Sequence, residues 1–345
     1  MPYPRVSESP TGFDDPGLLA PPTSAAAPRG MPAGLRQMFA PLLRAGEPAR
    51  FSPARLMPAL RVYSGHRHRD ARWTEGPESL GRIGSLEVRL ARSAKDVRRV
   101  QRLRYKVFYE EMSALPDTAM RLVRRDIDAF DAICDHLLVL DHDARRARLG
   151  RGPKVVGTYR LLRQEVAERH TGFYTAGEFD IAPLLARHPG RRFLELGRSC
   201  VLASYRNKRT VELLWHGIWA YVLRHRVDVL FGCASLEGTD PAALAQPLGF
   251  LHHFAPPDAE WHAAALPVRA QAMNALPKEA IEQRAALSSL PPLIKGYLRL
   301  GAQIGEGAVI DHQFGTTDVL IVLPVERISP RYIGHFGANA ERHAA

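Results

Sequence analysis

Cysteine is scarce in this chain: three residues among 345, Cys134, Cys200 and Cys233, lie far apart, each in an apolar run and none in a CxxC pair. An odd number at such spacings excludes a disulfide framework and a structural zinc site, and leaves small buried thiols in a reducing compartment. Long apolar runs are absent too, with no uninterrupted stretch of the roughly 20 residues that a bilayer-spanning helix needs. The N-terminal residues have no apolar signal-peptide core, because prolines and charges interrupt them throughout. Acidic residues are outnumbered: 36 Asp and Glu face 47 Lys and Arg, a formal net charge of +11. These absences point to a cytoplasmic protein, able to rest on the inner membrane, with an acidic partner. Nucleic acid, an anionic membrane surface and a small acidic carrier protein all fit that charge.

What is present is an ordinary globular composition, 46% hydrophobic and 24% charged, distributed unevenly. Residues 1–84 are rich in Pro, Ala and Arg, as in SPTGFDDPGLLAPPTSAAAPRGMPAG, and bury too little to offset their ordering entropy. A largely disordered arm is expected there, a folded domain over residues 85–327, and a flexible tail over 328–345. The domain opens with SLEVRLA, which alternates like an edge strand. Ser93 and Asp96 then mark a helix start, and Val97, Val100, Leu103 and Val107 line one face of AKDVRRVQRLRYKVFYEEM. A polar loop, RLVRRDIDAFDAICDH, leads to the strands HLLVLD, KVVGTYRLLR, FLELGRSCVLA and VDVLFGCAS. Between the last two, RTVELLWHGIWAYVLRHR carries a helical apolar stripe through Leu214, Ile218 and Val222. TDPAAL reads as another helix start capped by Thr239 or Asp240, and AVIDHQF and TTDVLIVLPV as two strands joined at Gly315. The order gives a mixed α/β (α+β) sandwich with C-terminal helices and a hairpin, not a doubly wound nucleotide-binding sheet.

Several charged residues sit where apolar ones are expected. Arg160 lies mid-strand in GTYRLLR, and Glu195 and Arg198 interrupt FLELGRSC. A buried arginine needs a carboxylate, and Glu195 is the expected partner of Arg160. DIDAFD spaces Asp126, Asp128 and Asp131 along a loop, and Arg104 and Phe108, four apart, share a helix face. Taken in order, R-x-x-V-F, D-x-x-D, V-G-x-x-R-L-L and L-E-x-x-R-x-x-V resemble the series carried by autoinducer (acyl-homoserine-lactone) synthases on a GNAT-type acyltransferase fold. The chain departs from that family where EEMSAL follows Phe108 in place of a nearby tryptophan, which speaks against a sulfonium acceptor.

A closer resemblance runs from about Leu86 to Val325. RYKVFYEEM, FDAICDHLLVLD, VVGTYRLLR, LELGRSCV, LFGCASLEGTDP, LPPLIKGYLRLGA and VIDHQFGTTDV look like the ornithine N-acyltransferases, often labelled hemolysin-like. The resemblance implies transfer of a 3-hydroxyacyl chain from acyl carrier protein to the α-amine of L-ornithine, giving lyso-ornithine lipid, with no cofactor or metal. In GNAT-type folds the strand before the central helix splays from its neighbour, and the helix N-terminus binds the donor's phosphate. Here Arg206, Asn207, Lys208, Arg209 and Thr210 occupy that place, without the usual glycine-rich turn, a form suited to a carrier protein. Glu195, Arg198 and Arg160 are then the candidate catalytic residues, with Glu195 either the base or a structural partner of an arginine. Arg104, Phe108, Asp128 and Asp131 are the candidate acceptor-binding residues, the two aspartates holding the δ-ammonium of ornithine. Two alternatives remain at this level: acyl-homoserine-lactone synthesis or acylation of another amino acid, and a basic membrane- or nucleic-acid-binding module without chemistry.

Overall fold

The computed structural model describes residues 79–112, 114–144, 152–330, 332 and 334. The expected N-terminal arm lies outside the described residues except for 79–84, and the expected tail except for 328–330, 332 and 334. The strands are β1 (Gly81–Ile83), β2 (Leu86–Leu90), β3 (Asp135–Asp141), β4 (Lys154–Arg163), β5 (Phe179–Asp180), β6 (Phe193–Val201), β7 (Val229–Glu237), β8 (Ala264–Ala265), β9 (Ala270–Gln271), β10 (Gln303–Asp311) and β11 (Thr316–Pro324). The helices are α1 (Ala94–Tyr105), α2 (Thr118–Val123), α3 (Gln164–Ala167), α4 (Ala182–Arg187), α5 (Lys208–His225), α6 (Ala245–Phe254), α7 (Gln283–Ser289) and α8 (Pro292–Leu300). The sheet runs β1-β2-β3-β4-β6-β7-β11-β10-β8-β5, with β9 on β10.

Two details differ from the sequence reading. β2 is not an edge, because β1 pairs with it through Ile83↔Leu86 and β3 covers its other side. The helix expected at TDPAAL starts only at Ala245: Asp240 turns its carboxylate onto the Ala242 N–H, 2.9 Å away, and holds a turn there instead.

Local chemistry explains the helices that matter. Ser93 Oγ accepts the Asp96 N–H at 3.2 Å and starts α1. Past Tyr105 the helix widens into a π-helical turn, Lys106–Glu111, closed by Met112 N–H donating to Val107 O at 3.0 Å. Asn207 caps α5 by accepting the Thr210 N–H at 3.2 Å, and Arg226, at φ 51°, ends it in the left-handed conformation.

The central strands are buried on both faces. On one, Leu194 and Leu196 join a core with residues of α1 and α5, among them Val100, Leu214 and Ile218. On the other, Phe193 and Phe231 pack with Leu162, Phe173 and Trp261.

Parallel pairing of long strands occurs, among the described residues, only between β6 and β7, and it is short: Phe193↔Val229, Leu194↔Leu230 and Glu195↔Phe231. Beyond that point β6 stays with β4 as far as Gly157↔Val201, and β7 stays with β11 as far as Glu237↔Thr316. The two strands therefore part after Glu195 and leave facing, unpaired edges. Gly232 sits at the parting, where a Cβ would lie 2.3 Å from the Leu196 carbonyl oxygen. A bulge sharpens the divergence: β6 spends three steps, from Gly197 to Cys200, against the two from Arg160 to Thr158 on β4. Arg198 takes up the extra length in the left-handed region, at φ 48°, a conformation uncommon outside glycine and concentrated at functional sites.

Candidate active site

The charged residues of the apolar strands meet those of the DIDAFD loop. Arg104 of α1 is fully buried and forks onto Asp131, with Nη1 2.8 Å from Oδ1 and Nη2 2.6 Å from Oδ2. It also donates to the Asp126 carbonyl at 2.7 Å, and its Nε stands 2.7 Å from Asp126 Oδ2 in ionic contact outside hydrogen-bond geometry. Arg160 Nη1 reaches both Asp128 oxygens at 2.6 Å and Asp131 Oδ1 at 3.3 Å. Arg198 Nη2 donates to Asp128 Oδ2 at 3.2 Å. Three guanidinium groups thus meet three carboxylates, the arrangement that makes buried charge tolerable. The loop holds itself in shape with a capping box between Asp128 and Asp131.

The expected Arg160–Glu195 pair is not formed. Arg160 takes its carboxylates from Asp128 and Asp131. Glu195, 5% exposed, instead accepts the Tyr174 N–H at 3.1 Å and the Thr175 N–H at 2.6 Å. It thereby pins the short helical turn Tyr174–Gly177 against the end of the β6–β7 pairing. Burial raises the Glu195 pKa, with the Thr175 and Tyr174 N–H groups offsetting only part of that effect.

The sequence reading also gave Asp131 and Arg104 to the acceptor; in the structure the two are bonded to each other. Asp131 is 3% exposed, and both oxygens are saturated by Arg104, Arg160 and Gln101. Burial alone would raise its pKa, but Arg104 and then Arg160 hold the carboxyl well below the usual range. Arg104 and Asp131 are a sealed pair that orients the rest. Asp128, with its side chain 21% exposed, and Phe108, half-buried, are the members of that group nearer the surface.

Aromatic residues that the sequence reading passed over complete the site. The Arg198 guanidinium lies over the rings of Tyr174 and Phe314, each centroid 4.8 Å away. Phe108 meets Phe314 edge-on at 5.5 Å, and Tyr109 donates its hydroxyl to Asp126 at 3.1 Å. The π-helical turn brings Phe108 and Tyr109 to this place, and periodicity alone could not have signalled it.

At the other end of the opening, the five residues expected around a phosphate divide by role. Thr210 is buried, its N–H and hydroxyl both directed to Asn207 Oδ1, so these two build the cap. Arg206 pairs with Glu111 at 2.7 Å and donates to the Val201 carbonyl at 3.0 Å. Lys208 stands 3.6 Å from Glu212, and Arg209 is exposed. The N–H groups of Lys208 and Arg209, in the first turn, have no intrahelical acceptor. Burial pushes the Cys134, Cys200 and Cys233 thiols up, away from the thiolate form. Among the described residues no helix is long and apolar enough to cross a membrane.

Residues 103–216, from the last turn of α1 to the middle of α5, match the family described as Acetyltransferase (GNAT) domain. Among solved structures the chain is similar to an N-acyl amino acid synthase from uncultured soil microbes (TM-score 0.41, 10% identity, 71% of this chain and 92% of that one). It is also similar to the AHL synthase LasI (TM-score 0.36, 15% identity, 69% and 90%). Its curated relatives include the L-ornithine N(alpha)-acyltransferase of Agrobacterium fabrum, 57% identical over 264 residues, 76% of this chain and 89% of that protein. The protein of the same name from Rhizobium meliloti is 56% identical over 272 residues, 77% and 89% of the two chains. Identity of this order over so much of both sequences, on a sheet that parts between β6 and β7, makes this chain a GNAT acyltransferase and a member of the L-ornithine N(alpha)-acyltransferase family.

Proposed function

We propose that the protein moves a 3-hydroxyacyl chain from acyl carrier protein to the α-amine of L-ornithine, forming lyso-ornithine lipid, the first step toward an ornithine lipid. The observation that carries this reading is the opening between β6 and β7, with Arg198 on one lip and the basic start of α5 beyond it. The thioester lies between the parted strands, and the carrier's phosphate meets the free N–H groups of Lys208 and Arg209 and the Arg209 side chain. Backbone N–H groups near Ser199 to Val201 receive the developing oxyanion. No covalent acyl-enzyme is required.

The acceptor amine arrives protonated and must lose a proton before it attacks. Glu195 takes that proton, directly or through a water, since its raised pKa suits a base and it lies where the strands separate. The C–N bond forms as the C–S bond breaks, and the departing thiolate takes up a proton, leaving the amide and the free carrier thiol. Arg198 has donors beyond the one committed to Asp128, and these receive the amino acid's carboxylate. The net charge of +11 favours both the acidic carrier and contact with anionic lipid at the inner membrane. Exposed Met112, Leu115 and Leu122 offer an apolar surface across which an amphiphilic product leaves.

The test mixes purified protein with 3-hydroxyacyl-carrier protein and L-ornithine and follows the product by mass spectrometry. A species of N-acylornithine mass is expected, with far less from the corresponding coenzyme A thioester. Acylation of another amine in place of ornithine would overturn the acceptor assignment. Silence with every amine would return the protein to the class of basic binding modules.

A further inference from the structure

Glu178 and, from the β10–β11 hairpin, Asp311 and Asp318 each bring one carboxylate oxygen within 4.8 Å of the other two. Glu178 follows the turn Tyr174–Gly177, Asp311 ends β10, and Asp318 lies in β11. All three are buried. Their situation is opposite to that of Asp126, Asp128 and Asp131, which three arginines neutralise. Arg269 Nη1 stands 4.0 Å from Glu178 Oε1, too far for a hydrogen bond, and Arg198, whose charge reaches Asp318, is already bonded to Asp128.

The hydrogen bonds that exist fix two of the carboxylates and leave the third incomplete. Asp311 Oδ1 accepts the Gln313 N–H at 2.8 Å and the Phe314 N–H at 3.0 Å. Asp318 Oδ1 accepts the Thr316 hydroxyl at 2.8 Å. Glu178, only 3% exposed, has its Oε2 buried with no hydrogen-bond partner. A buried carboxylate oxygen left so can accept from a donor brought into the cluster. Burial, and next the Asp318 charge, push the Glu178 carboxyl up to about 7, with the Cys233 thiol and the more distant Arg269 offsetting only part of that.

The cluster also lies beside the opening. Asp318 is opposite Ser235 in the β7–β11 ladder, on the part of β7 that has left β6. Cys233, two residues earlier, contacts the Thr175 hydroxyl at 3.7 Å, and Thr175 is the residue that Glu195 anchors. Glu178 therefore stands on a turn whose position is set by the carboxylate at the parting of the strands.

We propose that Glu178, Asp311 and Asp318 form the site that holds the side-chain ammonium of a diamino-acid acceptor, leaving its α-amine free at the opening. This rests on the acceptor reading above and replaces Asp128 and Asp131 in that role. An ammonium making three bonds of about 2.8 Å spreads its acceptor oxygens by up to about 4.6 Å, close to the spacing available here. A bound magnesium ion, with ligands at about 2.1 Å, would draw them nearer. Held by three carboxylates, the side-chain nitrogen keeps its proton and cannot attack the thioester. The same site thus decides which of the two nitrogens is acylated.

The experiment compares equilibrium binding of L-ornithine, of L-norvaline (the same carbon chain without the terminal amine) and of magnesium ion to the full chain and to its Glu178→Gln and Asp318→Asn variants. Acyl transfer to both amino acids is measured in parallel. The wild-type protein is expected to bind ornithine about 10- to 100-fold more tightly than norvaline, and each variant to remove most of that preference. No preference in the wild type, or a preference that survives both substitutions, would overturn the proposal. So would stoichiometric magnesium binding, lost in the variants, with which ornithine does not compete. If the preference is present and lost in the variants but neither amino acid is acylated, the ammonium site stands and the transfer reading falls.

Discussion

Asp131 and Glu195 are both buried carboxylates beside the opening, and their surroundings give them different work. Asp131 is closed in by Arg104, Arg160 and Gln101. Removing its charge strands a fully buried guanidinium, so Asp131→Asn should lower unfolding stability by about 3–5 kcal/mol in a denaturant titration. A stability loss below about 1 kcal/mol would mean that Arg104 finds another partner. Glu195 is held by N–H groups and carries a raised pKa, so the wild-type rate should climb with pH as its carboxyl deprotonates. Glu195→Gln should lower kcat by about 10²-fold or more and abolish that climb. A change confined to melting temperature would leave Glu195 as the anchor of the Tyr174–Gly177 turn alone. Arg160, Glu195 and Arg198 stood out in the sequence because charge inside an apolar strand is conspicuous. The pairing did not, since Glu195 and the DIDAFD aspartates were all open to Arg160 and only the folded loop brings Asp128 and Asp131 to it. Asp311 and Asp318 are also carboxylates in apolar strands, and the sequence reading passed over them. What joins them to Glu178 is topology, which no local spacing encodes.

The elements were legible where pattern alone decides them. Alternation marked β2, apolar runs marked β4 and β11, apolar stripes marked α1 and α5, and the Ser93 cap sits where its spacing to Asp96 put it. The deviations that make the site were not legible. The π-helical turn after α1, the bulge at Arg198 and the parting at Gly232 each depend on what the neighbouring strand or loop does. Gly232 is the most exacting of these, because any side chain there strikes the Leu196 carbonyl while β6 and β7 are still in contact. Gly232→Ala should cost at least about 2 kcal/mol of stability and most of the transferase activity, read by thermal melting and initial rate. An unchanged melting temperature would show that the strands separate earlier than Leu196.

For the whole molecule, one sheet carries two faces of chemistry around a single opening. In the proposed reaction the arginine–aspartate network and the three-carboxylate cluster serve the acceptor, and the start of α5 serves the donor's phosphate. The excess of basic residues acts at longer range. The KM for acyl-carrier protein should rise severalfold between about 0.05 and 0.5 M salt, while the KM for ornithine, bound at buried charges, should move little. Equal salt sensitivity of both would remove the carrier from the electrostatic account. The measurement that bears most directly on the central claim is the position of the acyl group in the product, read by tandem mass spectrometry of the N-acylornithine. Acyl chain found only on the α-nitrogen is the expected result, with the δ-nitrogen free and basic. Acyl chain on the δ-nitrogen, or divided between the two, would contradict the account.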